Sequence, residues 1–290
     1  MMPLRRFTID QPKTVKEAAE MLSHYGEKGR LYAGGTELLL AMKHDLLRYE
    51  HLVDVKGLPG LNTIETRNNS LHIGATVTHR AIEKSAAAQD IVPVLADMAQ
   101  HIANVRVRAT GTLGGNLCFA EPHSDPATLL LALEAHVHVQ GRGAERILKM
   151  NELITGAYET ALAPDELLLA IDIPLASRTK RSAYLKFQIK ERPTIGLALV
   201  LDLDESGRSL TKARAVVGSV SAQLSRSDRA DALLVGPRDK VEKQLADAAK
   251  VLADAADPVD DLEGSAEYKR HLIGVYLRRA FRQALASPPV

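Results

Sequence analysis

Thiols are almost absent from this chain, which has one Cys in 290 residues. That excludes an internal disulfide, a cysteine-ligated zinc site and a cysteine-ligated iron–sulfur cluster, each of which needs several thiols. Any such centre must belong to another chain. Trp is missing and aromatics make up 4%, which argues against extensive base stacking or an aromatic cage. An excess of one charge is missing too: 37 Lys+Arg against 36 Asp+Glu leave a net charge of +1, short of what phosphate-backbone binding requires. No stretch approaches about 18 uninterrupted apolar residues, and the start lacks the apolar core of a signal peptide. The expectation is a cytoplasmic, reduced protein.

What is present suits a folded protein. Hydrophobic residues make up 46% and charged residues 25%, a chain of this length buries roughly three quarters of its surface, and about two domains are expected. Thr14 with Glu17 forms a capping box ahead of Val15, Ala18, Ala19 and Leu22, and Gly26 stops that helix. Arg30 to Ala33 reads as a strand, Gly34-Gly35 as a turn, Glu37 to Leu47 as a helix and Leu52 to Val55 as a strand, a small β-α-β-like unit. Further strands are expected at Leu71 to Ala75, Leu113 to Cys118, His136 to Gln140 and Leu167 to Ile173. Helical spacing runs from Ile91 to Ile102 with Pro93 in the first turn, and Ser124-Asp125-Pro126 opens another helix. Pro174 and the polar run Ser177 to Ser182 mark a boundary. Beyond it, three strand-like runs (Ala183 to Ile189, Ile195 to Leu203, Ala213 to Val220) and then three helical ones imply a separate α+β domain.

Two glycine pairs stand out: Ala33-Gly34-Gly35-Thr36-Glu37 and Gly111-Thr112-Leu113-Gly114-Gly115-Asn116. Glycine lets backbone N–H groups approach a ligand, and consecutive N–H groups in a tight turn form a nest for an anion such as a diphosphate. Either pair is also consistent with a plain turn. Neither fits a Rossmann or phosphate-loop fingerprint. Glu37 would compete with a phosphate at that helix start and so should point away.

Other polar groups read more simply. Pro122-His123-Ser124-Asp125 is explained by helix capping rather than a hydrolytic triad, which folds assemble from distant positions. His136 and His138 share a strand face that reads as solvated, and Cys118 reads as packing. Alternation along its strand puts Lys186 on the surface. Arg278, Arg279 and Arg282 read as a solvated helix face.

Taken together and in order, Leu31 to Leu39, Ile73-Gly74-Ala75-Thr76, Ala109 to Leu117, Ser124-Asp125 with Leu129 to Leu133, Glu166 to Pro174 and Tyr184-Leu185-Lys186 resemble the FAD-binding medium subunit of molybdenum hydroxylases. That group includes the xanthine dehydrogenase and carbon monoxide dehydrogenase flavoproteins, and the resemblance spans essentially the whole chain. It implies an α+β fold: a vanillyl-alcohol-oxidase-type FAD-binding domain over residues 1–176, in subdomains of about 1–57 and 58–176. A smaller domain over 177–290 follows, with a three-stranded antiparallel sheet and a helical bundle.

It also implies a site. Tyr32, Ala33, Gly34, Gly35, Thr36, Glu37 and Leu38 would hold the FAD diphosphate by backbone N–H groups, as would Thr112, Leu113, Gly114, Gly115 and Asn116. Asp125 matches the acidic residue after the second loop, Leu168 and Lys186 match positions that approach the flavin, and Ile102 falls near a ring contact. No residue of this chain would itself be catalytic or bind a metal. Lys186 moves from a surface residue to a flavin neighbour able to stabilise negative charge. Many relatives carry an Asp where this chain has Arg192-Pro193-Thr194-Ile195-Gly196.

The resemblance implies an oxidoreductase subunit that passes electrons from iron–sulfur clusters in a small subunit through FAD to a terminal acceptor. A large subunit would carry the molybdenum cofactor, in a heterotrimer that is doubled and without a transmembrane segment. The single Cys agrees with that division and argues against the extra cluster of some 4-hydroxybenzoyl-CoA reductases. A stand-alone flavin oxidoreductase and a non-catalytic scaffold retaining the flavin fold are the alternatives.

Overall fold

The computed structural model describes residues 4–286 except 176, 178, 190 and 191. The expected α+β class is what it contains. A three-stranded parallel sheet has His51–Asp54 at its centre, flanked by Thr8–Asp10 and Gly29–Tyr32. The helix Val15–Tyr25 covers it with Ala18, Ala19 and Leu22. Its start is held as the sequence suggests: Thr14 Oγ1 accepts from the Glu17 N–H at 3.1 Å, while Glu17 Oε2 accepts from the N–H of Lys13 at 2.7 Å. Gly26, at φ +53°, ends it.

The second sheet is antiparallel, in the order Ile64–Arg67, Ser70–Gly74, Leu167–Pro174, His136–Gln140, Arg146–Lys149. Leu71, Ile73, Val137, Ile171 and Ile173 turn one face to the helices of residues 79–132 and form the largest core. The other face carries polar groups. There His138 is not simply solvated: its Nε2 lies 2.8 Å from Asp172 Oδ2, and the other oxygen of Asp172 lies 2.6 Å from His72 Nδ1. The two histidine bonds hold the Asp172 carboxyl below its usual range although burial works against them.

In the third sheet the long strands Lys180–Gln188, Pro193–Leu203 and Ser209–Gly218 are antiparallel neighbours, extended by the short Ser225–Arg226 and Gly236–Pro237. The central strand is buried on both faces, which explains its near-continuous apolar run. Leu197, Leu199 and Leu201 pack under the helices Arg238–Ala256 and Ala266–Ala286. Ala198 and Val200, with Tyr184 and Val216, join the core of the second sheet through the helix Asp125–Ala132. The junction expected at residue 176, and Arg178 of the polar run, lie outside the described residues.

Two elements differ from expectation. Leu113 to Cys118 is part of a helix, Leu113–Phe119, rather than a strand. Thr112 caps it by accepting from Gly115 N–H at 3.1 Å, and Leu113 and Leu117 are buried at helical spacing. The helix expected from Glu37 to Leu47 covers only Leu38–Lys43. Asp45 takes a left-handed φ of +58°, where Arg48 holds its carboxylate, and Leu46 ends 76% exposed instead of on the buried side.

Candidate functional site

The two glycine loops meet at Gly34 and Thr110-Gly111 and together line a cleft of about 720 Å³ between the first sheet and the helices that cover the second, within the range of small-molecule and cofactor pockets. The first loop joins the strand Gly29–Tyr32 to the helix Leu38–Lys43. Gly35 takes φ +69°, and a Cβ there would meet the Tyr32 ring at 2.5 Å. A Cβ on Gly34 would run into the Thr110 carbonyl oxygen, so the loop lies flat against the start of the second loop only as glycine. Lys56 Nζ sits 3.9 Å over the Tyr32 ring and donates to Ala33 O at 3.2 Å, bracing the turn from behind.

The distribution of backbone donors differs between the loops. Among the described residues, the N–H groups of Gly34, Gly35, Thr36 and Glu37 donate no hydrogen bond. Four successive donors without a partner, in a turn whose Gly35 is left-handed, have the makings of an anion nest beside the cleft. In the second loop four donors are engaged: Leu113 N–H with Val77 O at 2.9 Å, Gly114 N–H with Ala75 O at 2.9 Å, Gly115 N–H with Thr112 Oγ1 at 3.1 Å and Asn116 N–H with Thr112 O at 2.9 Å, while the Thr112 N–H donates no hydrogen bond among the described residues. That loop offers shape, one backbone donor and a side chain. Ser124 Oγ donates to Asn116 Oδ1 at 2.6 Å, leaving the Asn116 amide nitrogen without a partner among the described residues.

Residues 33–38 line the cleft, together with Ile102, Thr112, Gly114, Gly115, Asn116, Asp125 and Leu168. Tyr32, Leu113 and Lys186 stand behind the wall. Tyr32 braces the first loop, Leu113 is fully buried in the core, and Lys186 is drawn back by Asp125, its Nζ 2.8 Å from Oδ2. Asp125 is 6% exposed, and its other oxygen accepts from the Tyr184 hydroxyl at 2.6 Å. Burial, then the Asp125 charge, push the Tyr184 phenol well above its ordinary value, so it stays a neutral donor. Lys186 is therefore largely screened, its side chain 13% exposed, rather than on the open surface.

A row of charges runs from the cleft wall, at Arg192, Glu121 and His123, to Asp261 and Lys269 beyond it. Arg192 Nη1 lies 2.5 Å from Glu121 Oε1, which is also 2.9 Å from His123 Nδ1. His123 Nε2 faces Asp261 at 3.9 Å, and Asp261 binds Lys269, which is fully buried, at 2.5 Å. Burial opposes ionisation of Asp261, but Lys269 and the Glu263 N–H hold its carboxyl below the usual range. Arg192 Nη2 also reaches Glu37 Oε2 at 3.8 Å, which gives the Glu37 carboxylate a partner other than a bound anion. Burial still leaves Glu37 above its usual value, with Arg192 lowering it and Glu121 raising it.

Sequence reasoning missed His79, Glu121 and Tyr158 on this wall and left Arg192 without a role. Their signal is not local, because Arg192 meets Glu121 across 71 positions. Cys118 lines the cleft, and burial pushes its thiol up to about 11, in line with packing. Among the described residues no group of His, Cys, Asp and Glu could hold a metal, and no helix is long and apolar enough to cross a membrane. The unpartnered donors and the flat Gly-Gly turn fit a diphosphate-bearing cofactor held by backbone dipoles.

Comparison with known proteins gives the same direction. Residues 5–176 match the family described as the FAD binding domain in molybdopterin dehydrogenase, and residues 184–284 match the CO dehydrogenase flavoprotein C-terminal domain. The chain is 31% identical to the carbon monoxide dehydrogenase medium chain of Hydrogenophaga pseudoflava, over 97% of this chain and 98% of that one. It is 27% identical to the xanthine dehydrogenase FAD-binding subunit of Escherichia coli O157:H7, over 94% of each. Its fold superposes on a chain of a Cu,Mo-CO dehydrogenase crystal structure with a TM-score of 0.93 at 31% identity, covering 98% of this chain and 99% of that one. A chain of quinoline 2-oxidoreductase from Pseudomonas putida 86 gives 0.91 at 26% identity, with the same coverage.

Proposed function

Since the chain belongs to the FAD-binding medium subunits of molybdenum hydroxylases, we propose that it is the electron-transfer subunit of such an oxidoreductase complex. Its partners are a large subunit with the molybdenum cofactor and a small subunit with iron–sulfur clusters. The complex is a cytoplasmic dimer of heterotrimers. Bound FAD supplies the redox chemistry, taking electrons from the iron–sulfur donor and handing them to a terminal acceptor. The single Cys supports that division of labour, since this chain cannot ligate a cluster by itself.

The observation that carries the reading is the free nest of Gly34, Gly35, Thr36 and Glu37 on a cleft closed by a second glycine loop. In this reading the nest binds the diphosphate without a cation, Tyr32 and Leu38 fix the ends of the turn, and Asn116 donates its amide. Leu113, Gly114 and Gly115 seat the opposite wall against Ala75 and Val77. Ile102 and Leu168 supply apolar surface and exclude water. Asp125 is held in one orientation by Tyr184 and Lys186, and the Lys186 cation behind it would help stabilise negative charge on a bound flavin. Residues 1–176, in subdomains of about 1–57 and 58–176, form the FAD-binding domain, and 177–290 the C-terminal domain.

The test is purification of the native complex with this chain tagged. The expected result is co-purifying chains that carry molybdenum and iron, and flavin bleached by the complex's organic substrate only when those chains are present. Robust turnover of an organic substrate by the chain alone would overturn the reading.

A further inference from the structure

His79 has no role in the reading above. It is the first residue of the helix His79–Lys84, its backbone N–H donates to Gly111 O at 3.0 Å, and its side chain lines the cleft. The ring lies where the two glycine loops meet: a Cβ built on Gly111 would be 3.3 Å from His79 Cδ2 and 3.4 Å from Thr36 Oγ1. The residue is 3% exposed, yet neither ring nitrogen has a hydrogen-bond partner among the described residues, and Nδ1 is buried. A buried polar group without a partner is costly and uncommon, and it marks a place where something else completes the bond.

We propose that His79 is a ligand of the diphosphate, donating a ring N–H to a phosphate oxygen of FAD held in the nest of Gly34 to Glu37. The inference rests on the FAD-binding reading and adds a side-chain donor to a site that otherwise depends on backbone groups. Burial, with the nearby Arg108 charge, pulls His79 down to about 4, so the ring is neutral at pH 7 and one nitrogen carries a proton to donate. The ring and Thr36 Oγ1 both approach the same position on Gly111, which puts the ring next to a residue of the free-donor loop.

The test compares His79→Leu and His79→Gln with the parent chain, in FAD affinity by flavin fluorescence and in thermal melting of the FAD-free protein. A hydrogen bond to a charged group predicts FAD affinity weaker by about tenfold to a hundredfold in His79→Leu, with His79→Gln, which keeps an N–H donor, in between. Removing an unpaired buried polar group leaves the melting point of the FAD-free protein unchanged or higher. Unchanged FAD affinity in His79→Leu overturns the inference, and so does a loss of affinity accompanied by a lower melting point without FAD, which is what a packing role gives. A parent chain that binds no FAD refutes the underlying reading instead.

Discussion

Lys186→Met is the perturbation whose consequence the structure states most directly. Its ammonium and the Asp125 carboxylate are 2.8 Å apart with side-chain exposures of 13% and 7%, so neither charge has much access to water. Truncating Lys186 leaves Asp125 with the Tyr184 hydroxyl alone, and stranding one member of a buried pair costs about 3–5 kcal/mol. Asp125→Leu strands the ammonium and costs a similar amount. Replacing both together removes the charge problem, so the double variant should lie within about 1–3 kcal/mol of the parent, the residue being the unpaired Tyr184 hydroxyl. The pair joins the helix Asp125–Ala132 to the strand Lys180–Gln188, and the loss should appear as a fall of roughly 6–20 °C in melting point for each single variant. With no Trp in the chain, far-UV circular dichroism under heat or urea is the assay. The reasoning fails if each single variant costs less than about 1 kcal/mol, or if the two effects simply add, since contacting residues are expected to couple.

Gly34→Ala should weaken FAD binding by about 100-fold or more, because its Cβ meets the Thr110 backbone oxygen, whereas Gly115→Ala, whose Cβ at 2.7 Å meets only the Thr112 hydroxyl, should be milder; fluorescence titration separates them. Glu134 is held by Arg214 and Lys212, whose bonds pull its carboxyl down to about 2 from 4.5 against an opposing effect of burial. A depressed carboxylate stabilises the fold fully above the unfolded value and loses that contribution as pH falls through the folded one. Stability should therefore drop between about 4.5 and about 2. The Glu134→Gln curve should be flatter there, by a modest amount because the side chain is 45% exposed; urea midpoints against pH decide it. Cys118, raised from 9.0 to about 11, should hold about 100-fold less thiolate at pH 8 than an unperturbed thiol; a rate of alkylation equal to that of a free thiol would contradict the upward shift.

Local pattern carried most of the architecture. The capping box at Thr14, the strand His136–Gln140 and the parallel unit around Gly34-Gly35 are each readable from spacing, because their determinants lie within a few residues. The helix Leu113–Phe119 was less legible, since Leu113, Leu117 and Cys118 around a glycine pair suit a buried strand as well, and the Thr112 cap decides between them. Leu46 fits the apolar period, but the left-handed Asp45 intervenes. The glycine loops were visible as candidate anion nests, yet which of them keeps free N–H groups depends on Ala75 and Val77, brought from a different strand end. Alternation alone puts Lys186 on the surface, whereas Asp125, 61 positions away in sequence, pairs with its ammonium and screens it. His79 left no sequence signal beyond following the helix-capping Thr78.

The central claim is that this chain holds FAD in the cleft between the glycine loops, and titration of the purified, full-length chain with FAD tests it most directly. The account predicts saturation at about one FAD per chain, a visible flavin spectrum that survives desalting, and loss of both in Gly34→Ala. A well-folded parent chain that remains colourless and cannot be reconstituted with FAD, alone or with its co-purifying partners, would contradict it.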